Sequence, residues 1–86
     1  MSWLIHIANQ AQKSLKRLPK SSAGKILLVL EDIIEDPYFG DIRKVKGEID
    51  TWRRRVGEYR ITYVVLVNEK LIKVTDIERK SDHTYR

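Results

Sequence analysis

The chain has 86 residues, of which 42% are hydrophobic and 34% charged, and it contains no Cys. That length holds one domain, residues 1–86, with a single thin core and little room for a large internal cofactor cavity. The composition is too apolar for a disordered chain, and the missing thiols exclude disulfide staples, thiolate metal sites and cysteine nucleophiles.

The net charge of +5 is unevenly placed. Residues 1–42 are balanced, and residues 61–86 carry one excess positive charge. Residues 43–60 hold seven basic side chains (Arg43, Lys44, Lys46, Arg53, Arg54, Arg55, Arg60) against three acidic ones (Glu48, Asp50, Glu58). An excess this local points to a polyanionic partner such as nucleic acid, anionic lipid or an acidic protein. The longest apolar runs, Ile26–Leu30 and Tyr63–Val67, are five residues each, far short of the ~18–20 that span a membrane. Met1-Ser2-Trp3 lacks a basic region followed by an apolar run, so no signal peptide is read. Without Cys, the chain fits a reducing cytoplasm.

Trp3, Ile5 and Ile7 alternate with Leu4 and His6, which predicts a short strand with His6 on its surface. Ala8, Ala11, Leu15 and Leu18 then fall at helical spacing, and Pro19 stops that helix. Ser21 or Ser22 is the expected cap of a second helix, with Ile26, Leu27, Leu30, Ile33 and Ile34 as its buried stripe and Asp36-Pro37 as its end. The two helices, joined by about three to five residues, form an antiparallel hairpin.

The remainder reads as strands. Tyr38 to Asp41 is a loop and Ile42 to Val45 a short extended piece. Thr51 to Val56, Tyr59 to Val67 and Lys70 to Glu78 are strands, joined by two-residue turns at Gly57-Glu58 and Asn68-Glu69. Residues 79–86 form a polar tail. The order is β-α-α-β-β-β: an α+β domain whose helical hairpin packs on one face of a small, mostly antiparallel sheet.

The turns fix which side chains share a face. With a two-residue turn at Gly57-Glu58, Arg55 faces Arg60, and Arg53, Arg55 and Arg60 lie together. With the second turn, Arg60 faces Ile77 and Arg79 projects from the same side. The other face carries Trp52, Val56, Tyr59, Ile61, Tyr63, Val65, Val67, Ile72 and Val74, and the helices should cover it. Like charges directly opposite one another destabilise a strand pair by up to about 1 kcal/mol. A bound phosphate shared between several guanidinium forks relieves that cost, and so does splaying into water or pairing with Glu48, Asp50 or Asp76. Strict alternation puts Arg54 on the apolar face, where its stem can cover the core while its head reaches water. In the tail, Tyr85 offers a ring for base stacking and a hydroxyl for proton transfer, and His83 has a pKa suited to acid–base work.

Val45-Lys46-Gly47 followed by Trp52-Arg53-Arg54-Arg55-Val56-Gly57-Glu58-Tyr59-Arg60-Ile61-Thr62-Tyr63 resembles the "lxG" and "yRxRvGdYRvxY" pattern of the RelE/ParE superfamily of toxins. The helix segment Lys13-Ser14-Leu15-Lys16-Arg17-Leu18-Pro19-Lys20 and the ending from Arg79 to Tyr85 also fit, so the resemblance covers essentially the whole chain. It implies the RelE-like fold, similar to microbial ribonucleases, and a toxin of a type II toxin–antitoxin system. RelE-like members are ribosome-dependent mRNA endonucleases that need no metal or other cofactor, and a cognate antitoxin holds them inactive. The catalytic set carried over is Arg53, Arg55, Arg60, Arg79 and Tyr85. Some relatives use a Glu and a C-terminal His, for which Glu48 and His83 are the candidates. Lys44, Lys46, Arg54 and Lys80 are the basic residues expected to contact RNA around that set. Arg53 and Arg55 stand where some members carry lysines, and the tail is brief. The ParE branch instead poisons DNA gyrase and generally lacks the full set. A gyrase-binding toxin, or a degenerate member that binds only its antitoxin, is therefore the alternative expectation.

Overall fold

The computed structural model describes residues 3–79. Its elements are β1 (Leu4–Ile7), α1 (Asn9–Arg17), α2 (Lys20–Glu35), β2 (Ile42–Lys44), β3 (Thr51–Val56), β4 (Tyr59–Leu66) and β5 (Leu71–Arg79). They form one five-stranded sheet in the order β1-β5-β4-β3-β2, parallel only between β1 and β5. The expected α+β architecture is present with one more strand, because the extended piece after Asp41 pairs along β3 as an edge strand. The helix pair covers one sheet face, α1 lying along β5 and α2 approaching β3. No helix among the described residues is long and apolar enough to cross a membrane.

The helix junction is tighter than its serines suggest. Only Leu18 and Pro19 separate the helices, and Pro19 itself stands at the cap position of α2 with φ −57° and ψ 150°. The proline ring disfavours helical geometry at the residue before it, so α1 ends there, and its fixed φ suits the immediate start of the next helix. Ser21 and Ser22 thus fall inside the first turn, and neither caps it through its side chain. Lys16 and Arg17 occupy the last turn of α1, where positive charge complements the helix dipole.

The core joins Ala11 of α1 and Ile26, Leu30 and Ile33 of α2 to Ile61, Tyr63, Val65, Ile72, Val74 and Ile77 of the sheet. Leu27, expected in the buried stripe, is 48% exposed. Fully burying an isoleucine contributes roughly 1.5–3 kcal/mol, so this interlocking set supplies most of the driving force.

The Gly57-Glu58 turn closes as expected, with Gly57 at φ +60°, Val56 opposite Tyr59 and Arg55 opposite Arg60. The second turn also centres on Asn68-Glu69, and Lys70 N–H donates to the Val67 carbonyl at 3.1 Å. Lys70 takes φ +55°, however, so the ladder begins only at Leu66–Leu71, and Val67 is 53% exposed instead of joining the apolar face.

A bulge corrects the next mismatch. Val74 pairs with Tyr63 but Asp76 pairs with Thr62, leaving Thr75 as the extra residue on β5. Unbroken alternation from Ile72 and Val74 would turn Asp76 into the core and Ile77 out of it. The extra residue reverses both. Ile77 becomes 1% exposed opposite Ile61, while Asp76 and Glu78 move to the open face. Arg60 therefore faces Glu78, not Ile77, and Arg79 pairs with Tyr59 on the helix side of the sheet.

Tyr63 anchors the connection between α2 and β2. It is fully buried, and its hydroxyl donates to the Pro37 carbonyl at 2.6 Å. Burial pushes its pKa up to about 12, against a smaller opposing pull from Arg54. The folded state thus holds the phenolic proton more tightly than the unfolded chain. The resulting stability is fully present below pH ~10 and is lost as pH rises from there toward about 12. Tyr63→Phe should cost about 1–3 kcal/mol at neutral pH by leaving a buried carbonyl unpaired. It should also flatten the fall in stability above pH ~10. Urea denaturation across a pH series measures both effects.

Candidate functional site

The open face of the sheet is basic at its β2–β3–β4 end. Arg43 of β2 pairs with Arg53 of β3, and Arg55 of β3 pairs with Arg60 of β4. Because the β3 ladder runs without a shift from Thr51 to Val56, these four side chains share one face. They line a cleft of about 310 Å³ together with Asp41.

Arg55 Nε donates to Asp41 Oδ2 at 3.1 Å, and Arg60 Nη2 lies 3.5 Å from Glu78 Oε2. The acidic partners are thus Asp41 and Glu78, not the anticipated Glu48, Asp50 or Asp76. The Arg53 side chain has no hydrogen-bond or ion-pair partner among the described residues, and Nε of both Arg53 and Arg60 is shielded from solvent without an acceptor. Four guanidinium groups converge on one concave surface, with fewer carboxylates than cations. Such a surface is suited to an oxyanion that can accept from several forks at once.

Some expected residues stand elsewhere. Arg79 does not join the arginine face, because the Thr75 bulge rotates it to the helix side. There it pairs with Glu58 at 2.6 Å and borders a second cleft with Pro19, Ser22 and Lys25. Arg54, expected to contact RNA, also points to the helix side. Its Nη1 donates to the Phe39 carbonyl at 3.3 Å, and its head packs against Gly40. A Cβ at Gly40 would stand 2.6 Å from that nitrogen, and Gly40 has φ +102°, so the loop needs glycine there. Lys44 pairs with Trp52, which places it at the helix-side rim. Glu48 and Lys46 lie in the turn between β2 and β3, outside the arginine cleft. Lys80, His83 and Tyr85 lie outside the described residues.

Two cleft residues, Arg43 and Asp41, were missing from the expected site. The signal for Arg43 was present: pairing the short extended piece antiparallel to β3 sets it opposite Arg53. Asp41 carries no such periodicity, because it precedes the strand.

The family model for the "ParE toxin of type II toxin-antitoxin system, parDE" matches residues 5–83. A Methanocaldococcus jannaschii protein named for the toxin RelE1 is 31% identical over 83 residues, covering 93% of this chain and 92% of that relative. RelE in the RelE–RelB complex from Pyrococcus horikoshii is 26% identical with a TM-score of 0.80, covering 95% of this chain and 99% of that one. The isolated Escherichia coli RelE toxin has the same fold, with a TM-score of 0.85 at 16% identity over 96% of this chain and 89% of that one. The chain belongs to the RelE/ParE superfamily, the toxins of type II toxin–antitoxin systems.

Proposed function

We propose that this toxin is a metal-independent, ribosome-dependent mRNA endonuclease acting in the cytoplasm. The observation that carries the reading is the pair of opposed arginine couples, Arg43–Arg53 and Arg55–Arg60, on one open cleft. Folding alone disfavours that arrangement, whereas a phosphodiester bridging the guanidinium groups favours it.

RNA carries its own nucleophile. The 2′-OH gives up its proton as its oxygen attacks the adjacent phosphorus in line. The bond from phosphorus to the 5′-oxygen then breaks, and that oxygen takes up a proton. The products are a 2′,3′-cyclic phosphate and a 5′-OH end. Negative charge grows on the phosphorane oxygens, and in this reading Arg53, Arg55 and Arg60 stabilise it by preorganised electrostatics. Arginine stays protonated, so none of them serves as the base. That role falls to Tyr85 or His83 in the family resemblance. A phenol with its ordinary pKa near 10 makes a slow base unless nearby guanidinium groups stabilise its anion. Dependence on the ribosome to hold the substrate in line follows from such a weak chemical set.

The proposed partner besides mRNA and ribosome is a cognate antitoxin, as the RelE of Pyrococcus horikoshii has in RelB. The segment that covers the arginine cleft should be acidic. A gyrase-directed binding toxin is the second reading, favoured by the match to the ParE family model.

Expression without antitoxin should stop growth by arresting translation, with cuts in translated mRNA that follow the reading frame. Mapping cellular 5′ ends checks this, and DNA breaks with intact messages would establish the gyrase reading instead. Arg60→Ala should lower cleavage on programmed ribosomes by about 10²–10³-fold. Its stability should change by no more than about 1 kcal/mol, because only a partly exposed pair with Glu78 is lost. Circular dichroism and a single-turnover assay separate the two effects. Tyr85→Phe should slow cleavage while ribosome binding, followed by sedimentation, stays at the wild-type level.

A further inference from the structure

Among the described residues, Asp41 is the one acidic residue lining the arginine cleft, and it holds Arg55 twice. The Arg55 backbone N–H donates to the Asp41 carbonyl at 3.1 Å, and Arg55 Nε donates to Asp41 Oδ2 at 3.1 Å. The first contact extends the β2–β3 pairing one step beyond Ile42–Arg54. The second grips the guanidinium by its proximal nitrogen, so both Nη groups remain available to an anion. Arg55 also stands directly opposite Arg60, and repulsion from that neighbour would otherwise spread its rotamers.

We infer that Asp41 is a positioning residue that orients the Arg55 fork toward the scissile phosphate at the expense of ground-state affinity. This inference rests on the nuclease reading for its catalytic part. The carboxylate repels the phosphate it helps to align, so it weakens binding while improving geometry. That opposition distinguishes it from a purely structural contact, whose loss would weaken both. It also distinguishes it from a bare surface charge, whose loss would strengthen both. Asp41 transfers no proton in this scheme, and a neutral side chain that still accepts from Arg55 Nε should do most of its work.

The test compares purified wild-type toxin with Asp41→Ala and Asp41→Asn. Affinity is read by fluorescence anisotropy on a short 2′-O-methyl oligoribonucleotide, which cannot be cleaved. Rate is read as single-turnover cleavage on programmed ribosomes, and Arg55 orientation from its Nε–H resonance by NMR. Asp41→Ala should bind the oligonucleotide about threefold more tightly, cleave about tenfold more slowly, and lose the Arg55 Nε–H resonance seen in wild type. Asp41→Asn should bind more tightly too, yet keep that resonance and cleave within about threefold of wild type. Affinity and rate moving together in Asp41→Ala, or equal behaviour of the two variants, overturns the inference. Should Asp41→Ala fail to fold, Asp41→Asn decides alone: unchanged affinity or a lost Nε–H resonance overturns the inference. Should wild-type toxin leave ribosome-bound mRNA intact, the nuclease reading fails. The anisotropy and Nε–H measurements then still decide whether Asp41 orients Arg55 against a phosphate.

Discussion

The extra residue at Thr75 is the constraint on which the arrangement of this sheet depends. Ile77 must be buried and Asp76 must not, and only a one-residue shift in β5 satisfies both while Ile72 and Val74 stay in the core. Thr75 Oγ1 donates to the Thr62 carbonyl at 3.3 Å, which ties the bulged strand to its neighbour. The same shift places Glu78 opposite Arg60 and removes Arg79 to the other side, beside Glu58. Core packing thereby decides the charge pattern of the open face. Asp41 lines the arginine cleft, Glu78 pairs with Arg60 beside it, and among the described residues the lining cations are the four from β2, β3 and β4.

A second chain of contacts runs from the core to the cleft through the loop after α2. Tyr63, wholly buried, holds the Pro37 carbonyl, and Arg54 holds the next carbonyl but one, at Phe39. Gly40 provides the close approach that this requires. Tyr38 packs edge-on between Trp3 and Trp52, with ring centroids 6.4 and 5.7 Å away. Asp41 emerges from this clamped segment directly beside Arg55. A loop residue held by so many independent contacts loses little further entropy when it engages its partner. This explains how an ion pair that is more than half exposed can still orient a side chain, although its contribution to stability is small.

Much of this architecture was legible in the residues because period-2 and helical patterns act locally. Ile61, Tyr63 and Val65 alternate cleanly, Gly57 marks the turn, and those features alone set Arg53, Arg55 and Arg60 on one face. What was not legible depends on distant pairings. A bulge in β5 leaves no mark of its own in the sequence, although Asp76 and Ile77 standing in each other's expected places was a clue. The partnership of Asp41 with Arg55 spans fourteen positions and arises only once β2 is laid against β3. Alternation places Arg54 on the apolar face with its head reaching water, and the family resemblance makes it an RNA contact. It turns out to brace the loop that delivers Asp41, a role that needs the position of Phe39 to be known.

The sheet thus separates folding from chemistry by side. The helix-covered face carries the apolar contacts that stabilise the domain, and the open face carries charges that the fold tolerates rather than requires. Two like-charged couples stand there, each unfavourable by up to about 1 kcal/mol before its carboxylate neighbours are counted. A marginally stable domain of this size has little stability to spare for such features. In the proposed function an oxyanion in the cleft would offset that cost, because it accepts from several guanidinium groups at once. The buried set of Ile61, Tyr63, Val65, Ile72, Val74 and Ile77 lies on the opposite side of the sheet from these charges. The shared fold of this chain and Escherichia coli RelE at 16% identity accords with a scaffold set by the pattern of one face. Under that division the identity and setting of the charges on the other face can vary while the fold stays the same.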